Sequence, residues 1–353
     1  HGTTSNPWNT KLTSGGSSGG AAAALAAGMS PLGLGSDLAG SIRLPAHYCG
    51  IYGLKPTDYR VSRAGHIPPL PGQVTTLYRM FTSGPLARSV ADLRLALQLI
   101  AGPDERDTEV LPMALTHTPP KPLRELRVAW IDEIDGAPVT AETRAGIHNL
   151  VNRLTAAGCR VERAIPPDFD FDQAWRLYGQ LIAYVIGVQL GIPARWVAKT
   201  GAPAAAMMRS FLPRGPFMSG VVSALNLSAY TYFTALTERE ELARAMERFL
   251  SQYDAWICPV ASGPAFPHCK SAPLGAPIRV DDKTVPYWTA AISYTSPLNL
   301  TGHPVVTMPL TQSADGLPIG VQLVGQLWGE MELLNVAETL SPLVGPVRRP
   351  PGC

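Results

Sequence analysis

Long apolar runs are missing from this 353-residue chain. The most apolar stretch, Leu181 to Ile192, covers about twelve residues, whereas a spanning helix takes roughly 18 or more. No transmembrane segment is expected. An excess of one charge is missing too: Lys+Arg 29 stand against Asp+Glu 27, with no basic block long enough to track a nucleic-acid backbone. Nucleic acid is therefore disfavoured as a direct ligand. Cysteines are few, odd in number and scattered (Cys49, Cys159, Cys258, Cys269, Cys353), without CxxC spacing. Free thiols in a reducing compartment, the cytoplasm, fit that usage. Cys258 followed by His268-Cys269 matches no common zinc spacing, so neither metal nor cofactor is expected. The opening HGTTSNPW carries no initiator Met, basic n-region or apolar h-region, and reads as neither a signal peptide nor a natural start.

Glycine and small residues, by contrast, are concentrated from Asn6 to Thr57. Two serine-bearing glycine loops lie there, GGSSGG at Gly15 to Gly20 and GSDLAGS at Gly35 to Ser41. Such glycines let main-chain N–H groups approach a ligand closely, so a serine there is either a turn residue or a nucleophile. Ala21 to Ala27 has high helix propensity and no bulk, which predicts a short packed helix ended by Gly28. A helix starting just after Ser18 turns its unpaired N–H groups and positive dipole end back on the loop, where anionic character is stabilised. A phosphate loop would suit the same chemistry, but GGSSGGA has no Gly-Lys-Ser/Thr ending.

GGSSGG, then GSDLAGSIRLPA, then CGIYGLKPT together resemble the amidase signature family of serine hydrolases. The resemblance implies an α/β fold in one domain, a mixed central β-sheet with helices on both faces. It makes Ser41 the nucleophile and Ser17, preceded by a cis peptide bond, the proton relay. The two serines stand 24 residues apart, the family's own spacing. A serine hydroxyl is weak until a base takes its proton, and the resemblance assigns that base to a neutral lysine whose pKa burial depresses. It also makes the main-chain N–H groups of Leu38, Ala39, Gly40 and Ser41 the oxyanion hole. Asp37 and Arg43 are expected to hold the loop by charge-assisted hydrogen bonds, with Ser18 in support.

Two departures stand out. Ala39-Gly40-Ser41 replaces the family's usual Gly-Gly-Ser; the N–H of Ala39 survives, and the hole with it if φ there is negative. The family's lysine lies several dozen residues before GGSSGG, whereas this sequence starts sixteen residues before Ser17. The chain thus reads as roughly the C-terminal three-quarters of a longer enzyme. Lys11 and Lys55 are assigned structural or solvated roles, since lysines are mostly exposed.

Organisation follows from the same reading: a catalytic core over 1–110, a βα unit over 123–165, a variable helical region over 168–250 and a C-terminal sheet and helix over 251–343. His66, in a Pro/Gly-rich loop, reads as a surface or turn residue. Ser89 and Asp92 approximate a capping box for a helix with Val90, Leu93, Leu97 and Ile100 on one face. LRVAWID, the helix Thr140 to Ala157 and CRVERA spell strand, helix, strand, hence parallel pairing. His148 falls on that helix's surface. In the variable region, aromatics and methionines (Trp175, Tyr178, Tyr184, Trp196, Met207, Met208, Phe211, Phe217, Met218, Tyr230, Tyr232, Phe233) are mostly core, with the remainder lining a substrate pocket. PVVTMPL and IGVQLVG read as buried strands joined at Asp315-Gly316. Asn299 and Thr301 are assigned to the turn before them.

The reaction implied is hydrolysis of a small-molecule carboxylic amide through a Ser41 acyl-enzyme. Its rivals are the amidase-like subunit of a tRNA-dependent amidotransferase, a fatty acid amide hydrolase, and a non-catalytic fragment that keeps the loops without the lysine. A homodimer is an open assembly.

Overall fold

The structure, a computed structural model, describes residues 2–66, 79–189, 215–224, 228–269 and 275–353. Trp196, Met207, Met208 and Phe211 lie outside them. In chain order a small hairpin, β1 (Ser5–Asn6) and β2 (Asn9–Thr13), leads into α1 (Gly19–Ala26), β3 (Leu32–Asp37), α2 (Arg43–Cys49), β4 (Tyr52–Lys55), β5 (Thr82–Ala87) and α3 (Val90–Ile100). Then come β6 (Arg127–Trp130), α4 (Ala141–Ala156), β7 (Arg160–Arg163), α5 (Phe171–Gln189), α6 (Pro216–Ser223), α7 (Ala229–Leu250) and β8 (Ala255–Pro259). A second hairpin, β9 (Ile278–Val280) and β10 (Lys283–Val285), precedes α8 (Tyr287–Ile292), α9 (Ser296–Thr301), β11 (Val305–Gln312), β12 (Pro318–Val324) and α10 (Glu330–Val344).

Eight strands form the central sheet in the order β3-β5-β4-β11-β12-β8-β6-β7. From β3 to β8 every pair is antiparallel, while β8-β6 and β6-β7 are parallel. The mixed α/β fold expected from the resemblance is thus present. The parallel end is the strand-helix-strand unit of residues 127–163, and the antiparallel turn at Gly316 (φ +76°) returns β11 into β12.

Alternation along the strands divides the core. Val305 and Val324 pack on one face with α2 and α5, whereas the adjacent Val306 and Leu323 pack on the other with α3, α4 and α10. Side chains of neighbouring strand residues point to opposite faces, so one apolar run feeds two cores. A third small cluster, Ala22, Leu25, Ile42, Ala46 and Leu86 among its members, clamps α1 against α2 and β5. The alanine-rich helix is used there for its thinness: it lets two helices and a strand close over the loops before and after it.

Two stretches differ from the sequence reading. GSDLAGS starts as strand: Gly35, Ser36 and Asp37 end β3 at the sheet edge. TSGPLA forms β5, and Lys55 closes β4. Asn299 and Thr301 sit inside α9, and the turn is made one residue later by Gly302 at φ +81°. For the strands, partners distant in sequence supply the hydrogen bonds, a signal no local window carries.

Among the described residues no helix is long and apolar enough to cross a membrane.

Candidate active site

The two serine loops meet at their backbones. The N–H of Ser18 donates to the carbonyl of Ser41 at 3.1 Å, which sets Ser17, one residue earlier, beside the second loop. Ser17 is exposed and Ser41 half-buried. The Gly16–Ser17 peptide bond is cis. Ser18 opens α1 without a side-chain cap, and its Oγ accepts instead from the Ser36 N–H at 3.4 Å. A Cβ on Gly35 would stand 2.5 Å from that Oγ, so glycine is what permits the approach.

From Leu38 to Ser41 each peptide is held by a named partner. Tyr178, on α5, donates its hydroxyl to the carbonyl of Leu38 at 2.9 Å. Thr295 donates to the carbonyl of Ala39 at 2.7 Å, and the Leu44 N–H to that of Gly40 at 2.7 Å. Because a trans peptide points its C=O and N–H in opposite directions, tying the Leu38 carbonyl back turns the Ala39 N–H the other way. Among the described residues no acceptor takes the N–H of Leu38, Ala39 or Ser41. Gly40 differs from the expectation: its N–H is bonded to Asp37 Oδ1 at 2.8 Å. Its φ of +106° and the 2.7 Å that would separate a Cβ from Thr295 Oγ1 restrict the position to glycine.

Beneath the loop lies a fully buried ion pair. Arg43 grips Asp37 with two parallel bonds, Nε to Oδ2 at 3.0 Å and Nη2 to Oδ1 at 2.9 Å. Asp37 also accepts from the N–H groups of Ile42 (3.1 Å) and Arg43 (3.3 Å). The remaining guanidinium donors reach Gln322 Oε1 at 2.8 Å, the Thr295 carbonyl at 3.0 Å and Asn299 Oδ1 at 2.5 Å. Asn299 closes the circle, its Nδ2 donating to Asp37 Oδ1 at 2.9 Å and to the Met80 carbonyl at 3.1 Å. Burial pushes the Asp37 carboxyl up, but the charge and hydrogen bonds of Arg43, then Asn299 and the charge of Lys55, hold it far below the usual carboxylate range. The fork geometry is what an arginine supplies and a lysine does not.

The residues set aside in the sequence reading fall differently. Lys11 is exposed, as expected. Lys55 takes the structural of its two assigned roles: it is completely buried, with Nζ donating to the carbonyls of Pro56 and His303, both at 3.0 Å. Burial pushes its pKa down, against the pull of Asp58 at 3.5 Å. His66 is no simple surface residue: its Nε2 lies 3.1 Å from Ser36 Oγ and its ring packs edge-on to Phe81 at 4.6 Å. It meets neither Ser17 nor Ser41. His148 is half exposed and hydrogen-bonds Asp132 at 2.7 Å, a helix-surface role.

Of the aromatics, Trp175, Tyr178 and Tyr184 are buried while Tyr230 and Phe233 are largely exposed. Sequence reasoning did not single out Thr295, Gln322 or Tyr178's role on the loop. Gln322 left a trace, a lone amide inside the otherwise apolar IGVQLVG; Thr295 left none.

This fold and loop geometry belong to a known class. The family model described as Amidase matches residues 1–334, and the chain belongs to the amidase family. It is 35% identical over 352 residues to the A-type component of the glutamyl-tRNA(Gln) amidotransferase of Synechococcus sp. (strain CC9605), covering 95% of this chain and 68% of that protein. It is 30% identical over 350 residues to the indoleacetamide hydrolase of Bradyrhizobium japonicum, covering 98% and 69%. Among solved structures, 6-aminohexanoate cyclic dimer hydrolase matches with a TM-score of 0.75 at 28% identity, over 99% of this chain and 72% of that one. The corresponding glutamyl-tRNA(Gln) amidotransferase component from Thermotoga maritima gives a TM-score of 0.75 at 24% identity over the same shares, a likeness of fold.

Proposed function

We propose that this amidase-family enzyme hydrolyses a carboxylic amide through an acyl-enzyme on Ser41. Ser41 Oγ attacks the carbonyl carbon, and the oxygen takes up negative charge facing the N–H groups of Leu38, Ala39 and Ser41. Donors so aimed are typically worth about 10²–10³ in rate each. The C–N bond then breaks, Ser17 passes a proton to the departing nitrogen, and water attacks the acyl ester to give the carboxylate. The observation carrying this reading is the Ser18 N–H bond to the Ser41 carbonyl, which joins the loops while leaving these three donors unclaimed. Gly40 supports the hole through Asp37 and is not counted as a donor.

The resemblance assigns the base to a lysine preceding GGSSGG; Lys55, its ammonium on two carbonyls, is not that base. A chain extended upstream to include the family lysine should turn over far faster than residues 1–353, and equal rates would overturn the assigned base. Fluorophosphonate labelling read by intact mass tests the nucleophile: one adduct that disappears in Ser41→Ala supports it. A folded, lysine-bearing chain that takes no adduct refutes it.

A second reading, one component of an amidotransferase working with partner proteins, is favoured by the 35% identity to the Synechococcus protein. Release of ammonia from simple amides by the lone chain would decide for the hydrolase. Activity appearing only with partners would decide for the amidotransferase. The reading places a small amide in the site, makes no use of nucleic-acid contact by this chain, and puts the enzyme in the cytoplasm, to which five unpaired cysteines lend support. Light scattering would test a homodimer.

A further inference from the structure

One turn of α5 beyond Tyr178 lies a cavity of about 420 Å³ walled by residues that include Met80, Leu181, Tyr184, Tyr232 and two arginines, Arg79 and Arg239. Its link to the site runs along α5. Tyr178, which holds the Leu38 carbonyl, is followed at helical spacing by Leu181 and Val185, both in the cavity wall. Seven residues of helix span roughly 10 Å, so the cavity extends about that far from the loop along this face. Met80 makes the same connection from the other side. Its backbone, at φ +69°, presents its carbonyl to Asn299, and residue 80 also lines the cavity.

The charges in the wall do not balance. Arg239 has a side chain only 14% exposed, and its Nε is buried without an acceptor among the described residues. Its sole carboxylate contact among them is Asp58 Oδ2 at 3.4 Å, and Asp58 is shared with Lys55 at 3.5 Å. Arg79, half-buried, pairs with no carboxylate among the described residues. Glu109, the other acidic group in that quarter, is engaged by Arg63 at 2.6 Å. Two guanidinium groups in one apolar wall, with only the shared Asp58 as a carboxylate contact among the described residues, leave a local excess of positive charge that an anion would offset.

We infer that this cavity receives the far end of the substrate's acyl chain, and that this end carries a carboxylate bound by Arg79 and Arg239. The preferred substrate is then the monoamide of an aliphatic dicarboxylic acid, with the scissile amide at Ser41 and its methylenes against Leu181, Tyr184 and Tyr232. This rests on the amide-hydrolysis reading for the position of the scissile bond; the anion site itself does not.

The test uses calorimetry on Ser41→Ala protein with two probes of equal length, octanamide and octanedioic acid monoamide. A charge-assisted hydrogen bond contributes enough for the acidic probe to bind about tenfold tighter or more. Arg79→Gln should lower that ratio several-fold, with Arg239 left to hold the remainder, and Arg79→Glu should turn it in favour of 8-aminooctanamide, a reversal that no general loss of packing produces. Equal affinities in the parent protein, or a ratio unchanged in both variants, would overturn the inference. Fluorophosphonate labelling of the wild type is read alongside. With the labelling done on the chain extended upstream to include the family lysine, labelled Ser41 with no acidic preference sinks only the substrate assignment, whereas acidic preference without labelling sinks the catalytic reading and leaves the anion site standing.

Discussion

Arginine serves two regions of this molecule in opposite ways. Arg43 lies under the second serine loop with both carboxylate oxygens of Asp37, an amide oxygen from each of Gln322 and Asn299, and a main-chain carbonyl around it. Some 10 Å along α5, Arg79 and Arg239 border a cavity; among the described residues Arg79 has no carboxylate partner, and Arg239 shares Asp58 with Lys55. A guanidinium whose donors are all spent inside the protein fixes a backbone. One whose donors face an opening is available to a ligand. Burial alone does not separate the two cases; satisfaction does.

The sharpest break in that comparison is Arg43→Met. It leaves Asp37 buried without its counter-charge, and should cost about 3–5 kcal/mol of stability, seen as a lower urea midpoint, together with most turnover. His47, beside Arg43's helix turn, sharpens it along the pH axis. Its Nε2 donates to the Gly263 carbonyl at 2.9 Å and its Nδ1 accepts from Gly320 at 2.7 Å, so the fold holds it neutral. Burial pushes its pKa down to about 4. The unfolded chain therefore binds the extra proton first as pH falls. Stability from this group is full above about pH 6.5 and declines towards pH 4, by on the order of 3 kcal/mol. Urea titrations at several pH values should show that slope, and His47→Gln should flatten it.

Tyr178→Phe removes one hydrogen bond from the Leu38 carbonyl and leaves the ring in place. About 1 kcal/mol is expected from it, read as a several-fold fall in kcat with KM nearly unchanged, because the ground-state substrate does not need the oxyanion donors. A change in KM alone would mean that Tyr178 lines the substrate site and does not orient the loop. The smallest effect belongs to the other arginine: Arg79→Gln should move the melting midpoint by no more than about 0.5 kcal/mol of stability. A loss as large as Arg43's would place Arg79 in the scaffold and end the contrast.

How legible this was in the sequence depends on the range of the contacts. The loops, the Asp37–Arg43 brace, α1, α3, α4 and the β11–β12 hairpin are specified by motifs or periodicity within a few residues. Strand β3 escaped because LGLGSD has glycine where a strand should show side chains. Those glycines serve close packing, Gly35 against Ser18. The full burial of Lys55 escaped because it is made tolerable by the His303 carbonyl, 248 positions away. Asn299 resembled a turn residue since Gly302 and Pro304 follow, yet its amide belongs to a network that starts at Asp37. Residue type and neighbours told which groups are candidates for chemistry; only the folded chain told which were held still.

The bond from Arg43 to Gln322 joins positions 279 apart in the chain. At a ribosomal pace of about 5–20 residues per second, roughly 15–55 s separate the making of the two. Throughout that interval the nascent chain already carries both serines, but the brace beneath the loop is incomplete. The brace therefore closes late in biosynthesis, when the β11–β12 hairpin docks, and a chain that stops short of Gln322 leaves Arg43 Nη1 without its amide acceptor.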